Sequence, residues 1–185
     1  MSKFTILNKE SRYKGYISVD CMQVAIGDKR GSLEIIERGD SVALLIVDPN
    51  THECIITRQF RPAISDIMDG PVAGMIDNGE SEKSAMIREL LEETGIVLKE
   101  NALIDVGRHF LSAGIMTEAT TCFIAFMTTQ DIKFPYNISN EHEFEFLQID
   151  TVPLNKILST NNKQASLSLC ALLAEKEILK LQISK

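Results

Sequence analysis

The sequence has no long apolar run, no closely spaced cysteines and no cluster of basic residues, and each absence excludes a class of protein. No apolar stretch reaches the ~18 residues that a membrane span needs, and the first ten residues lack the apolar core of a secretory signal. The four cysteines are scattered, which argues against a zinc site or a disulfide framework and favours reduced thiols in the cytoplasm. The net charge of −7, with no basic run, argues against a nucleic-acid partner.

The remaining composition is that of a globular protein, and its pattern predicts an α/β fold. The 185 residues are 44% hydrophobic, which is enough for a substantial core. Residues 1–40 alternate short apolar runs with turn signals and predict an N-terminal β segment ahead of a main domain over 41–185. In the main domain we expect a mixed sheet between helices. Strands are predicted at 42–47, 54–60, 103–110, 120–127 and 143–149, and later helices at 152–159 and 164–182.

The most informative segment is a helix predicted between Ser81 and Gly95. Serine is a favourable N-cap, and glycine can end a helix in a left-handed turn. Apolar residues at the spacing i, i+3, i+4 and i+7 predict one buried stripe along this helix. The stripe comprises Ile87, Leu90, Leu91 and Thr94.

Three carboxylates lie on the other side of this helix, close to its C-terminal end. Glu89 is three residues from Glu92 and four from Glu93, so the like charges repel, and the helix dipole disfavours each anion there by roughly 0.3–1 kcal/mol. A bound dication reverses the sign of these effects, and Mg²⁺ or Mn²⁺ prefers carboxylate oxygen. Glu80 and Arg88 would hold these carboxylates in position without binding the metal themselves. From these residues alone, the alternative is a solvated acidic helix face.

The complete window from Gly74 to Ile96 resembles the Nudix box. The glycine is followed after five residues by Glu80, and after seven more by the run RELLEETGI at 88–96. Every fixed position of that signature is met. The resemblance implies an α/β/α sandwich with a mixed sheet and a hydrolase whose cofactor is Mg²⁺, with Mn²⁺ as the alternative. It also implies that Glu89, Glu92 and Glu93 are metal ligands.

The segments that flank the box are similar to one branch of the Nudix superfamily, the ADP-ribose pyrophosphatases and GDP-mannose hydrolases. The similar segments are 37–43, 58–63 and 72–77, and the whole likeness covers about residues 30–150. In that branch an N-terminal antiparallel sheet is exchanged or packed across a two-fold dimer. The resemblance therefore implies a homodimer in which residues 1–40 carry out the dimerisation.

Residues just before the box receive roles from the same resemblance. The backbone carbonyl of Ala73 would be a metal ligand, although by composition Ala73 is only a small residue in a tight turn. Arginine presents a planar fork that suits phosphate, and the likeness favours Arg61, and less so Arg58, as pyrophosphate contacts. The alternative for both is a solvent-facing strand arginine with a local ion pair. Relatives usually carry a glutamate at the position of Gly70. The neighbouring Asp69 is the residue that would supply the missing carboxylate.

The loop at 111–118 resembles the substrate loop of the branch, which places Gly114 and Glu118 at the substrate. Glu118 would bind the hydroxyls of the distal sugar. Its alternative is an ordinary loop carboxylate. The branch usually has Ser-Pro-Gly in this loop, and Ala113 stands here for the proline. Because that proline helps to mark the ADP-ribose enzymes, its absence weakens the assignment of ADP-ribose as the substrate.

A second acidic cluster lies at 141–145. Glu141 and Glu143 match a Glu-x-Glu element that supplies another metal ligand and the catalytic base in this branch. We expect Glu143, or else Glu141, to take the proton of the attacking water, with Glu92 as a further catalytic carboxylate. A solvated loop is the alternative. His142 has no partner at helical spacing and is not expected to bind metal.

These observations predict an enzyme that cleaves the diphosphate linkage of a nucleoside diphosphate sugar, with ADP-ribose giving AMP and ribose 5-phosphate as the first choice. GDP-mannose, another nucleotide sugar or a dinucleotide is the alternative substrate. A non-catalytic Nudix ligand sensor is a remote alternative, because such regulators usually lose box carboxylates that are intact here. No Ser-His-Asp or Cys-His arrangement indicates covalent catalysis. Besides the nucleotide, the expected partner is a second copy of the chain.

Overall fold

The chain folds into two compact units. The computed structural model describes residues 3–128, 138–139, 146–161 and 163–183. The first unit comprises Met1–Asp40 and Phe110–Ala119, and the second comprises Ser41–His109 and Thr120–Lys185. The first unit therefore joins the N-terminal segment to a loop from much later in the chain. Within the described ranges, no helix is both long and apolar enough to cross a membrane.

The first unit is built on a three-stranded antiparallel sheet. Its strands are β1 Phe4–Lys14, β2 Ser18–Ile26 and β3 Lys29–Glu37, paired in that order. Gly27 lies in the turn between β2 and β3 with a φ of 58°, a left-handed conformation that glycine adopts at little cost. Every position of β1 is exposed. The sheet confirms the predicted antiparallel N-terminal segment.

The second unit contains a mixed eight-stranded sheet. Its strands are β4 Ser41–Val47, β5 Glu53–Arg61, β6 Asp66–Gly70, β7 Val72–Met75, β8 Ile104–His109, β9 Thr120–Phe126, β10 Ile138–Ser139 and β11 Phe146–Pro153. The main path runs β10-β11-β5-β4-β9-β8, while β6 pairs with β5 and β7 pairs with β4. Strands β4 and β9 are parallel, and the other described pairs are antiparallel. The predicted mixed sheet is confirmed.

Helices lie on both faces of this sheet. In the described part of the unit they are α1 Glu82–Thr94, α2 Leu154–Ser159 and α3 Ala165–Ile183, besides a short 3₁₀ turn at Glu100–Ala102. Successive residues of β4 point to opposite faces, as the pleat requires. Its even-numbered residues 42–46 pack with α1, and its odd-numbered residues 43–47 pack with α2 and α3. This is the α/β/α arrangement that the sequence predicts.

Some element boundaries differ from the prediction. The helix expected at 152–159 begins only at Leu154, because Val152 and Pro153 end β11. The sequence predicts no strand between residue 60 and the helix, but residues 66–75 form β6 and β7 on either side of Pro71. Of the strand predicted at 143–149, residues 146–149 belong to β11 and the earlier ones lie outside the described residues.

Candidate metal and substrate site

Helix α1 begins and ends where the sequence predicts. The hydroxyl of Ser81 accepts a hydrogen bond from the Ser84 N–H at 3.1 Å, which satisfies one of the free donors of the first turn. Gly95 ends the helix with a φ of 70°, and its N–H donates to the carbonyl of Leu91 at 2.9 Å. The two caps fix where the helix begins and ends, so the positions of its carboxylates along the helix axis are well defined.

The buried face of α1 is rotated relative to the predicted stripe. Leu90 and Thr94 are buried as expected, and Ile87 is partly buried. The prediction for Leu91 was wrong, since this side chain is 51% exposed. Ala85 and Met86 are buried instead, so the buried face is turned about the helix axis away from Leu91. The physical reason for this rotation is that α1 packs against β7 with Glu89 directed at Gly74, which leaves Leu91 on the outer side of the helix.

Arg88 connects the helix to the strand and to three carboxylates. Its Nη2 donates to the carbonyl of Met75 at 2.9 Å and to Glu80 at 2.9 Å, and its Nε donates to the other Glu80 oxygen at 3.2 Å. Its Nη1 donates to Glu89 at 2.8 Å and to Glu92 at 3.2 Å. The paired bonds between Arg88 and Glu80 raise the pKa of the guanidinium and lower the pKa of the Glu80 carboxyl. Arg88 therefore stays charged in this site.

The carboxylate of Glu89 lies directly over Gly74. A Cβ atom on residue 74 would be 1.9 Å from Cδ of Glu89 and 2.0 Å from its Oε1, so only glycine fits there. Burial raises the pKa of Glu89, although the hydrogen bond from Arg88 acts in the opposite direction. The result is a partly desolvated carboxylate, which is the environment in which a bound cation is most favourable.

Glu93 approaches the same strand next to Gly74. Its Oε2 accepts a hydrogen bond from the backbone N–H of Ala73 at 3.3 Å. Ala73 itself is held in β7 by its pairing with Ala43 of β4. The structure thus brings the carboxylates of Glu89 and Glu93 to neighbouring residues of β7, where Glu93 contacts the N–H of Ala73. The Ala73 carbonyl as a metal ligand stays a prediction.

The donor set fits a hard divalent cation. All its members offer oxygen, and Gly74 supplies a space in which a carboxylate sits against the backbone. Among the described residues, however, no three His, Cys, Asp or Glu side chains are already grouped as a metal site. Glu92 is the outermost of the three box carboxylates, with its side chain 54% exposed. The predicted ligand Glu143, its neighbour Glu141 and the cluster around them lie outside the described residues.

Arg58 is held on the α3 side of β5. Its Nε donates to Asp69 at 3.0 Å, and its Nη1 bonds to Asp150. Burial lowers the pKa of Arg58, but the two carboxylates outweigh this effect and raise it. Asp69, the residue expected to compensate for the glycine at 70, is therefore engaged with Arg58.

Arg61 lies at the end of β5, three positions beyond Arg58, so strand alternation places it on the opposite face. That face carries Ile55 in the core next to α1. Arg61 is half-buried and contacts Gln164, the residue before α3. The sequence offered no signal for Gln164 beyond its place at the start of a helix.

The predicted substrate loop belongs to the first unit. Glu118 pairs with Arg38 at 3.3 Å, and its side chain is only 17% exposed. The guanidinium of Arg38 lies 6.0 Å from the ring centre of Tyr16. Gly114 is exposed, and among the described residues no atom lies within 4 Å of where its Cβ would be. Sequence reasoning identified Glu118 but missed its partner Arg38.

Comparison with known proteins identifies relatives of this chain. The NUDIX domain profile matches residues 37–171. ADP-ribose pyrophosphatase from Escherichia coli (strain K12) is 34% identical over 105 residues, which is 51% of this chain and 50% of that protein. GDP-mannose pyrophosphatase from Klebsiella pneumoniae is 32% identical over 103 residues, covering 52% and 50%. ADP-sugar pyrophosphatase from Mus musculus is 44% identical over 59 residues, covering 30% and 27%. The chain thus spans about half the length of the first two relatives, and the resemblance inferred from the box is confirmed.

Proposed function

Because this chain belongs to the NUDIX family, we propose that it hydrolyses the diphosphate linkage of nucleoside diphosphate sugars, with ADP-ribose as its main substrate. Water would be added across the linkage to give AMP and ribose 5-phosphate. The observation that carries the proposal is the carboxylate helix itself, held on β7 by Arg88 with Glu89 seated over Gly74. Relatives named for ADP-ribose and ADP-sugars support the choice of substrate.

The proposed metal is Mg²⁺, held by Glu89, Glu92, Glu93 and the carbonyl oxygen of Ala73. When bound, such a cation neutralises phosphate charge and lowers the pKa of a coordinated water. The protein's own part is to hold these oxygens in place. Arg88 does so by fixing the helix to the Met75 carbonyl, so that Glu89 and Glu93 meet the backbone of β7.

The remaining proposed roles concern the substrate and the proton. Arg61 would donate to the diphosphate oxygens, because strand alternation places it on the face of β5 that carries Ile55, where α1 packs. Arg58 is the weaker candidate, since Asp69 and Asp150 already occupy its guanidinium. Glu143, or else Glu141, would take the proton of the attacking water. Glu118 and the loop at Gly114 would contact the distal sugar.

GDP-mannose is the second candidate substrate. A relative named GDP-mannose pyrophosphatase also matches this chain, at 32% identity over 103 residues. Ala113 stands where a proline helps to mark the ADP-ribose enzymes, which weakens the case for the first candidate. A non-catalytic sensor is disfavoured by the three intact box carboxylates. A cytoplasmic location stays a prediction.

The test is a screen of nucleotide sugars, dinucleoside polyphosphates and NADH with Mg²⁺ or Mn²⁺, in which the products are identified. We expect ADP-ribose to give AMP and ribose 5-phosphate with the highest kcat/KM, and metal removal by a chelator to abolish turnover. GDP-mannose as the best substrate would replace the first candidate with the second. If no compound in the screen is cleaved with either metal, the enzymatic proposal is wrong.

A further inference from the structure

Gln164 has a fixed backbone position between β6 and α3. Its N–H donates to the carbonyl of Asp69 at 2.8 Å. Its own carbonyl accepts from the N–H groups of Leu167 at 3.1 Å and Ser168 at 3.3 Å, in the first turn of α3. The residue is thus anchored on one side to the end of β6 and on the other to the helix. Its side chain therefore starts from a well-defined point.

The side chain of Gln164 passes across the α-carbon of Gly70. A Cβ atom at position 70 would lie 2.6 Å from the terminal amide of Gln164 and 3.0 Å from its amide carbon. The first of these distances is too short for a real Cβ contact. Gly70 pairs with Thr57 of β5, whose side chain is on the same face as Arg61. The lack of a side chain at residue 70 therefore opens the route from Gln164 to that face.

The terminal amide of Gln164 ends at the guanidinium of Arg61. With the amide turned so that its oxygen faces Arg61, the orientation that satisfies both groups, this oxygen accepts from Nε at 3.2 Å and from Nη2 at 2.6 Å. Two N–H groups on one edge of Arg61 are thus engaged, which restricts the rotation of the guanidinium plane. The acceptor is neutral, so this contact orients the guanidinium without placing a negative charge against it.

We propose that Gln164 is a positioning residue that directs Arg61 toward the diphosphate of the substrate, and that Gly70 is required because it leaves room for this contact. The inference rests on the proposed function and extends it to two residues outside the box. Gln164 acts through Arg61 and does not itself touch the reacting atoms. Its contribution should therefore appear in substrate affinity and depend on Arg61.

Two substitutions test the contact from both sides. Gln164→Met keeps the volume of the side chain but removes the amide oxygen. Gly70→Ala places a Cβ against the flexible end of Gln164, which can move aside at little cost in stability. We expect each variant to raise KM for ADP-ribose roughly tenfold, with kcat within about twofold of wild type. Gln182→Met, an exposed glutamine near the end of α3, is the matched control and should leave KM unchanged.

A double-mutant cycle separates positioning from a general structural effect. In an Arg61→Ala background, neither Gln164→Met nor Gly70→Ala should raise KM further, because the residue they act through is gone. Wild-type KM in the Gln164→Met variant would overturn the proposal. So would a further tenfold rise in KM when Gln164→Met is added to Arg61→Ala.

A binding measurement makes this test independent of turnover. Calorimetric titration with inorganic pyrophosphate and Mg²⁺ should show roughly tenfold weaker binding to Gln164→Met than to wild type. If wild type cleaves no nucleotide sugar but this difference is found, the proposed function fails and the positioning role stands. Equal pyrophosphate affinities, or no pyrophosphate binding by wild type, would overturn the positioning role itself.

Discussion

At the scale of single residues, the candidate site depends on a glycine as much as on its carboxylates. The carboxyl of Glu89 occupies the space that a side chain on Gly74 would fill. Any larger residue must displace either Glu89 or the strand beneath it. The first glycine of the box is therefore explained by close contact, and its backbone angle is not what requires glycine.

Gly74→Ala should lower activity more than stability. The new Cβ would lie 1.9 Å from Cδ of Glu89, the flexible end of that side chain, so the carboxylate must move aside. Turnover should fall because Glu89 is displaced, and chemical unfolding measures the accompanying change in stability. Gly31→Ala is the control, since among the described residues no atom lies within 4 Å of its Cβ position. An equally stable and active Gly74→Ala protein would contradict the assignment of Glu89.

Glu93→Gln tests the metal site with little change of shape. The amide oxygen of glutamine can still accept from the Ala73 N–H, so the fold should be kept. We expect kcat at saturating Mg²⁺ to fall by two decades or more, which corresponds to about 2.7 kcal/mol of barrier. Glu82→Gln, in the exposed first turn of the same helix, should keep wild-type kcat. Wild-type turnover in the Glu93 variant would exclude it as a ligand.

The contact between Glu80 and Arg88 predicts a pH dependence of stability. Arg88 lowers the pKa of Glu80 below its ordinary 4.5 in the folded protein. A lowered pKa stabilises the folded state above the unfolded pKa, and the gain is lost as the pH falls through the folded pKa. Wild type should therefore exceed Glu80→Gln in stability at pH 7, with the difference shrinking below about pH 4.5. Urea titrations from pH 7 downward measure this, and a constant difference across that range would contradict it.

At the scale of elements, the sequence predicts the limits of α1 but not its rotation. The caps at Ser81 and Gly95 are local signals, and both are found in the structure. Leu90 and Leu91 each fit a helical apolar stripe, and only the packing of the helix on β7 decides between them. Strands β6 and β7 escaped prediction because Gly70 and Pro71 indicate a loop, and because β4, the pairing partner of β7, is distant in sequence. The contact of Gln164 with Arg61 is likewise purely tertiary.

The rotation of α1 makes a direct prediction about two adjacent leucines. Leu90 is fully buried, so Leu90→Ala should cost about 2–5 kcal/mol of unfolding free energy. Leu91 is 51% exposed, so Leu91→Ala should cost no more than about 0.5 kcal/mol. The two variants have the same chemistry and differ by one position, and chemical denaturation compares them directly. Similar losses of unfolding free energy for both variants would show that Leu91 is buried, as the sequence predicts.

At the scale of the whole molecule, the first unit exposes more apolar surface than an isolated sheet can easily tolerate. Phe4, Ile6 and Tyr13 of β1 are each more than half exposed. Exposed apolar side chains on an edge strand favour association with another chain, and a two-fold contact between identical surfaces is the commonest outcome. The homodimer that the sequence predicts would cover this surface.

The 185-residue chain should therefore show a light-scattering mass of twice 20.6 kDa at micromolar concentration. Ile6→Lys should shift the mass toward the monomer, because it places a charge among the exposed apolar side chains of β1. Thr5→Lys is the control, since alternation directs residue 5 to the other face of β1. A mass near 20.6 kDa for the unmodified chain would rule out the dimer.

The first unit is also discontinuous along the chain, and this bears on the order in which it can form during synthesis. The N–H of Ile36 donates to Ile115, and its carbonyl accepts from Thr117. These partners belong to Phe110–Ala119, which begins 70 residues after Asp40 (110 − 40 = 70). At about 5–20 residues per second, translation reaches this segment roughly 4–14 s after it completes the N-terminal sheet. On the ribosome, β1 and its exposed apolar side chains are therefore made well before the unit that contains them can be completed.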